Sequence, residues 1–224
     1  MEQIVQHWKP IVVSDDPFYK FLIVDNWYTP SEEKAIWSEL DFYSNLPKQE
    51  IIRAENSIVA RDEKGNSLGK SYRFYIQDYY TDVGRSKSHI FNCMYKQNTP
   101  EFGNLIDNIV PYNRSYWSCN KQSTMVSYYE ENDHYKEHSD TFMWSQLIWF
   151  VKDESLLNGG DLVFTDSNIK VKLKHNRCVF FPSCYMHKVL PLNFKNKINE
   201  MGYGRYTITH FWFFNTEDKP FVGK

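Results

Sequence analysis

Beyond residue 120 the chain is a succession of short strand-like runs separated by turns. This constrains the fold more than any other feature. The runs are STMVSYYE, SQLIWFV, GDLVFT, IKVKLK, RCVFFP, HKVLPL and RYTITHFWFF, with turn signals such as NGGD, TDSN and KHN between them. Seven or eight short strands with no helical period between them exclude a parallel α/β fold, whose crossovers need helices. They predict a mainly β, α+β architecture of the jelly-roll or barrel type. Aromatic residues make up 17% of the chain, and aromatics favour pleated surfaces.

The first half reads differently. A strand is predicted over Phe18–Asn26, followed by a helix. Thr29, Pro30 and Glu32 form a capping box, and Ala35, Ile36 and Leu40 recur behind it at helical spacing. Residues 56–80 read as a hairpin turning at Asp62–Asn66. Ser88–Gln97 and Pro100–Val110 read as two helices, the second with an apolar stripe of Phe102, Leu105, Ile106 and Ile109. No repeat, low-complexity tract or linker divides the chain. The expectation is one domain over 1–224, with a supporting N-terminal region (1–119) and a jelly-roll core (120–214).

Composition removes several classes of function. Lys and Arg number 26 against 28 Asp and Glu, a net charge of −2, so the chain lacks the basic excess of a dedicated polyanion binder. The four cysteines, Cys93, Cys119, Cys178 and Cys184, form no C-x-x-C pair and read as free thiols of a reducing compartment. The first residues, MEQIVQHWKPIVVSDD, have no apolar segment behind a basic cluster. No apolar run is long enough to span a bilayer. A soluble, cytoplasmic protein is the expectation.

The stretch HYKEHSD, His134–Asp140, offers two metal readings. As H-x-x-E-H on a helix it would be a zinc metallopeptidase site, with His134 and His138 as ligands, Glu137 as base and Glu200 as a third ligand. As H-x-D on a strand it places His138 and Asp140 on one face, half of a ferrous site. The flanking TMVSYY and SQLIWF are β-like, which favours the strand. There His134 would lie roughly 13 Å from His138 along the chain, and Glu137 would face solvent. A second imidazole must come from elsewhere, and His187 starts a strand behind RCVFFP. In the last run Arg205, Thr207 and Thr209 share a face, and a buried guanidinium there demands a carboxylate, internal or a ligand's. A non-catalytic metal-binding jelly roll would keep the metal ligands but would need no such arginine.

The motifs YEENDHYKEHSD, NGGDLVF, FPSCYMHKVLPL and GRYTITHFW, in that order, resemble the iron(II)/2-oxoglutarate-dependent dioxygenases, most of all their prolyl 4-hydroxylase-like branch. The resemblance covers residues 120–214. It implies a double-stranded β-helix with N-terminal supporting helices. It makes His138, Asp140 and His187 the iron ligands and sets Arg205, assisted by Thr207, on the 2-oxoglutarate carboxylate. Tyr129 would hydrogen-bond the cosubstrate, with Tyr128 as the alternative should strand register turn it inward. Fe(II), 2-oxoglutarate and O2 are the implied requirements, with ascorbate as an accompanying reductant. A hydroxylated C–H bond, succinate and CO2 are the implied products.

Two departures stand out. The segment between His187 and Arg205 is long and holds Lys195 and Lys197, where some relatives use a lysine for the carboxylate. Phe150 falls where some relatives place a cosubstrate-contacting tyrosine. The branch suggests a prolyl or other amino-acid residue of a peptide or protein as substrate, or a free amino acid. Nucleic acid is disfavoured: Phe211 stands where AlkB-type demethylases carry a second arginine. Arg53, Arg61 and Arg73 are candidates for substrate contact or for salt bridges on a solvated face. Trp149 and Trp212 read as core aromatics.

Overall fold

The computed structural model describes residues 8, 10–12, 16, 19–46, 52–53, 59–80, 83–107, 113–198 and 200–215. Regular structure opens with β1 (Pro10–Val12), β2 (Leu22–Asp25) and helix α1 (Pro30–Ser44). The capping box forms as predicted. Glu32 N–H donates to Thr29 Oγ1 (3.3 Å) and Thr29 N–H donates to the Glu32 carboxylate (2.8 Å), an arrangement that contributes about 1 kcal/mol. Then come β3 (Ile52–Arg53), β4 (Gly69–Lys70), β5 (Tyr72–Tyr75) and the short helices α2 (Ile76–Tyr79), α3 (His89–Asn92), α4 (Pro100–Asp107) and α5 (Asn113–Trp117).

The second half is nearly all strand. It comprises β6 (Lys121–Tyr129), β7 (His134–His138), β8 (Trp144–Phe150), β9 (Leu157–Gly159), β10 (Leu162–Phe164) and β11 (Ile169–Val171). It continues with β12 (Arg177–Pro182), β13 (His187–Val189), β14 (Leu192–Phe194) and β15 (Arg205–Phe213). A large sheet has the order β1-β2-β12-β8-β15-β6-β5-β3, and a smaller one β11-β10-β13-β7-β4. β14 and β9 form a separate pair. Every pairing among the described residues is antiparallel. The result is the mainly β, jelly-roll-like fold that the strand pattern predicts, with helices beside the larger sheet.

Alternation along each strand of the large sheet builds two cores. One face, with Val126, Tyr128, Ile148, Phe150, Phe180 and Ile208, packs against Ile36, Leu40 and Tyr43 of α1, Ile90 of α3 and Phe102 of α4. The other, with Tyr129, Leu147, Trp149, Val179 and Phe181, faces Leu162, Phe164 and Val189 of the smaller sheet. Trp144 stacks on Phe180 at 4.9 Å between centroids and 9°, a pair that contributes about 1 kcal/mol beyond burial.

The structure departs from the sequence pattern at three places. The turn at Asp62–Asn66 forms, with an Arg61–Ser67 bridge, but the returning segment is split between sheets: β4 pairs with β7 and β5 with β6. Ser71, buried between β4 and β5, is the crossing point, and residues 56–58 lie outside the described ones. The segment expected to extend to Tyr80 curls into α2 at Ile76. The helix expected over Ser88–Gln97 is one α turn, capped by Ser88, followed by a 3-10 stretch over Cys93–Asn98. The next helix, α4, runs Pro100–Asp107; Ile109 and Val110 lie outside the described residues, as does Phe18 of the first expected strand. All four cysteines are free, and among the described residues no helix is long and apolar enough to cross a membrane.

Candidate active site

A cleft opens between the two sheets. The large sheet contributes Arg73, Ser127, Tyr129, Arg205, Thr207 and Phe211 to its lining, and the smaller sheet Tyr135, His138 and His187.

The two histidines are cross-strand partners: His187, first residue of β13, pairs with His138, last residue of β7, with ring centroids 4.4 Å apart. Each ring is held the same way. His138 Nδ1 lies 2.8 Å from the Lys136 carbonyl and His187 Nδ1 lies 2.8 Å from the Tyr185 carbonyl. A carbonyl only accepts, so each Nδ1 carries a proton and each Nε2 is left facing the cleft. Burial, reinforced by the neighbouring His187, pushes the His138 imidazole down to about 4, so it is neutral at pH 7, as a metal ligand must be.

Asp140 completes the cluster, but not by strand register. β7 ends at His138, and Asp140 lies beyond it, held by its N–H donating to the Ser183 carbonyl (2.9 Å). Its Oδ2 accepts from Ser145 Oγ (2.6 Å), and Ser145 also bonds Ser183 (2.8 Å). Asp140 Oδ1 lies 3.6 Å from His138 Nε2, and Oδ2 lies 3.8 Å from His187 Nε2. Within the three residues the ligand atoms all fall within 4.8 Å of one another; this is the one such His/Cys/Asp/Glu group among the described residues. Two imidazoles and one carboxylate, oriented by backbone and hydroxyl partners, fit a divalent first-row metal.

Arg205 opens β15 opposite Tyr129 at the end of β6. It is 1% exposed. Nε and one terminal nitrogen donate to Thr207 Oγ1 (3.0 and 2.8 Å), and the other donates to the Gly160 carbonyl. Its guanidinium carbon lies 4.4 Å from the Tyr129 ring centre and 5.5 Å from that of Trp149. Among the described residues no carboxylate forms an ion pair with it, and burial lowers its pKa from the usual arginine value. A fully desolvated cation beside the cluster fits an anionic ligand that enters the cleft. The NGGD turn makes this possible. Gly159 and Gly160 sit at φ +77° and +69°, where a side chain would be strained, and a Cβ on Gly160 would meet Leu192 at 2.8 Å.

Register decides between the two tyrosines. Tyr129 lines the cleft, whereas Tyr128 faces the helices and its hydroxyl accepts from Gly202 N–H (2.7 Å) and Gly204 N–H (3.0 Å). Phe150 also faces the helices, against Tyr28, Trp37 and His175, so a hydroxyl there would not reach the cleft. Lys195 and Lys197 are exposed and absent from the lining.

The helical zinc arrangement is not formed. His134 and His138 sit on a strand, His134 Nδ1 is 3.0 Å from the Asn132 carbonyl, and both Glu137 and Glu200 are exposed. Of the three N-terminal arginines, Arg53 pairs with Asp133 (3.2 Å) and Arg61 bonds the Gly65 carbonyl at an exposed turn (2.9 Å). Arg73 is buried and lines the cleft. Trp149 is fully buried beside Arg205. Ser145, Tyr135 and Gly160 are site residues that the motifs did not single out. For Ser145 the signal was present, since it shares an alternating face with Leu147 and Trp149.

Residues 124–214 match the family model described as 2OG-Fe(II) oxygenase superfamily. No protein of curated function matches the sequence. Among solved structures, a Pseudomonas putida prolyl-4-hydroxylase is similar over 88% of this chain and 94% of its own, at 13% identity and a TM-score of 0.55. Prolyl 4-hydroxylases from Phytophthora capsici are similar at 13% identity and TM-score 0.54, over 89% of this chain and 60% of theirs. A Burkholderia pseudomallei oxidoreductase of the 2OG-Fe(II) oxygenase family is similar at 11% identity and TM-score 0.52, over 86% of this chain and 84% of its own. At these identities the structural likeness speaks to the fold. Residues 124–214 thus match the 2OG-Fe(II) oxygenase superfamily in sequence, and the chain shares its mainly β fold with these solved oxygenases.

Proposed function

We propose that the protein is an Fe(II)- and 2-oxoglutarate-dependent dioxygenase that hydroxylates a C–H bond of an amino-acid residue or amino acid. The observation that carries this reading is the meeting, in one cleft, of the His138–Asp140–His187 cluster and the buried guanidinium of Arg205. Bound ferrous iron and 2-oxoglutarate supply the oxidising chemistry, in which O2 is reduced as the cosubstrate is converted to succinate and CO2 and one oxygen atom enters the substrate.

The chain's own residues supply placement. His138, Asp140 and His187 would hold the metal on one side, leaving its other side to the cleft. Ser145 fixes the Asp140 carboxylate and the two carbonyls fix the imidazoles, so the three ligands are oriented toward one point. Arg205, steadied by Thr207 and Gly160, would take the distal carboxylate of 2-oxoglutarate, with the Tyr129 hydroxyl nearby. Met125, Leu147 and Phe211 give that region an apolar wall that keeps bulk water from the reacting carbon. A peptidyl substrate, proline foremost, is supported by the prolyl 4-hydroxylases among the structural neighbours.

The test is succinate release from 2-oxoglutarate with ferrous iron, O2 and ascorbate as reductant, beside a peptide and amino-acid screen for a product 16 mass units heavier than its substrate. Turnover by the wild type no higher than by His138→Ala would sink the reading.

A further inference from the structure

Beside the guanidinium of Arg205 lies a buried donor that the proposed chemistry does not use. Trp149, on β8, is 0% exposed, and its indole N–H has no hydrogen-bond partner among the described residues. It pairs across the sheet with Thr207 of β15, whose hydroxyl holds Arg205. Its ring centre lies 5.5 Å from the guanidinium carbon. An N–H buried without a partner is costly, and the same strand avoids that cost at its other end, where Trp144 donates to Ser115 Oγ at 2.9 Å. The indole N–H groups of Trp27 and Trp212 also lack partners, but both side chains pack in the helix-facing core. Trp149 packs in the core between the two sheets, next to an arginine that lines the cleft.

The hydrogen-bond inventory shows what this donor is for. A carboxylate accepts at about four lone-pair sites. Arg205 keeps one N–H on each terminal nitrogen once Thr207 Oγ1 and the Gly160 carbonyl are served. Thr207 Oγ1 accepts twice from Arg205, so its own hydrogen points elsewhere and can donate. The Trp149 N–H adds a further donor, neutral and carried on a rigid ring. Asp161 acts on Arg205 through its charge but does not take up these donors: it accepts from Leu173 N–H (2.8 Å) and pairs with Lys170 (2.8 Å). We infer that Trp149 donates its indole N–H to the distal carboxylate of the cosubstrate, beside Arg205 and Thr207. This rests on the oxygenase reading and deepens it. Every group that converges there donates, so the end of the cosubstrate remote from the metal must be one that only accepts. A keto acid ending in a methyl group leaves these buried donors unpaired and is rejected.

The experiment uses the full chain, isotope-labelled for NMR and loaded with diamagnetic Zn(II). The probes are 2-oxoglutarate and 2-oxopentanoate, which keeps the keto acid but lacks the distal carboxylate. The indole N–H signal of Trp149 is identified as the one missing from Trp149→Phe, or through its link to the backbone should that variant fail to fold. In the wild type, 2-oxoglutarate is expected to move this signal downfield as it saturates, and 2-oxopentanoate to leave it in place. By calorimetry, Trp149→Phe is expected to bind 2-oxoglutarate about 10- to 100-fold more weakly than the wild type and 2-oxopentanoate within about twofold of it. A ring that merely props Arg205 would weaken 2-oxoglutarate in the variant without moving the indole proton downfield in the wild type. The assignment is overturned if the Trp149 signal stays put at saturating 2-oxoglutarate, if 2-oxopentanoate moves it as far, or if a folded Trp149→Phe binds 2-oxoglutarate as tightly as the wild type. The two hypotheses fail differently. No binding of 2-oxoglutarate to the wild type, with Zn(II) or Fe(II), defeats the oxygenase reading and this assignment with it. Binding with an unmoved indole signal defeats only the role of Trp149.

Discussion

Replacing Arg205 by methionine tests the proposed cosubstrate site at its most deeply buried charge. A guanidinium has five N–H donors. Three of the five are used inside the protein, two on Thr207 Oγ1 and one on the Gly160 carbonyl, which leaves one on each terminal nitrogen. Those two can meet a carboxylate as a bidentate pair, and charge-assisted bonds contribute about 1.5–3 kcal/mol each. Losing both should weaken 2-oxoglutarate binding by roughly 10²- to 10⁴-fold. With Mn(II) in place of iron, and 2-oxoglutarate at about 100 times the wild-type Kd, binding stabilises the wild type by about 2.7 kcal/mol. For a chain of this size that raises Tm by about 5–10 °C. In Arg205→Met the same concentration should contribute under about 0.5 kcal/mol, a shift of roughly 1 °C. The ligand-induced shift is the readout, because the change in the unliganded Tm mixes opposite effects. Removing the charge relieves its desolvation, while the Gly160 carbonyl and the Thr207 hydroxyl lose their donor. Thermal unfolding with and without 2-oxoglutarate, backed by calorimetric titration, measures it. An Arg205→Met shift equal to that of the wild type would refute the role given to this residue.

Three further outcomes are expected. Ser145→Ala removes the hydroxyl 2.6 Å from Asp140 and should weaken metal affinity about 10- to 100-fold by calorimetry with little change in circular dichroism; unchanged affinity would deny that Ser145 orients the carboxylate. Gly204→Ala would drive a Cβ into the Tyr129 carbonyl at the rung where β15 joins β6, and should cost about 2 kcal/mol or more in denaturant unfolding; a neutral effect would contradict that register. Burial holds His210, with Thr124 on its Nδ1, down to about 3. Its folded pKa lies below the unfolded value of about 6.5, so the unfolded state binds the proton first. The stability it contributes is full above pH 6.5 and is lost as pH falls towards 3, with a slope approaching about 1.4 kcal/mol per pH unit. His210→Phe should flatten that slope by one proton in acid titrations of stability, and an unaltered slope would contradict the burial argument.

What could be read from the sequence followed from locality. The capping box of α1 and the alternation of β15 depend on residues a few positions apart, so pattern alone predicts them. His138 and His187 were legible because each stands beside a distinctive strand, although their pairing is long-range. Asp140 was found for a partly wrong reason: strand alternation placed it with His138, but β7 has ended and the Ser183 carbonyl holds it. The split of residues 69–75 between two sheets was not legible, because each half is paired with residues 50 or more positions away, on β7 or β6. For the same reason Arg73 could not be told from Arg53 and Arg61: only tertiary pairing shows which of them is buried. The inward-facing tyrosine needed the register of β6 against β15, which depends on the whole sheet rather than on Tyr128 or Tyr129.

The central claim is that one cleft binds ferrous iron through His138, Asp140 and His187 and 2-oxoglutarate through Arg205. Anaerobic titration of 2-oxoglutarate into the iron-loaded protein, followed by the visible charge-transfer absorption of the chelate, tests both parts together. The account predicts saturation at one equivalent in the wild type, no band in His187→Ala, and no band in Arg205→Met at the concentration that saturates the wild type. A wild-type band that survives unchanged in either variant, or no band in the wild type, would contradict it.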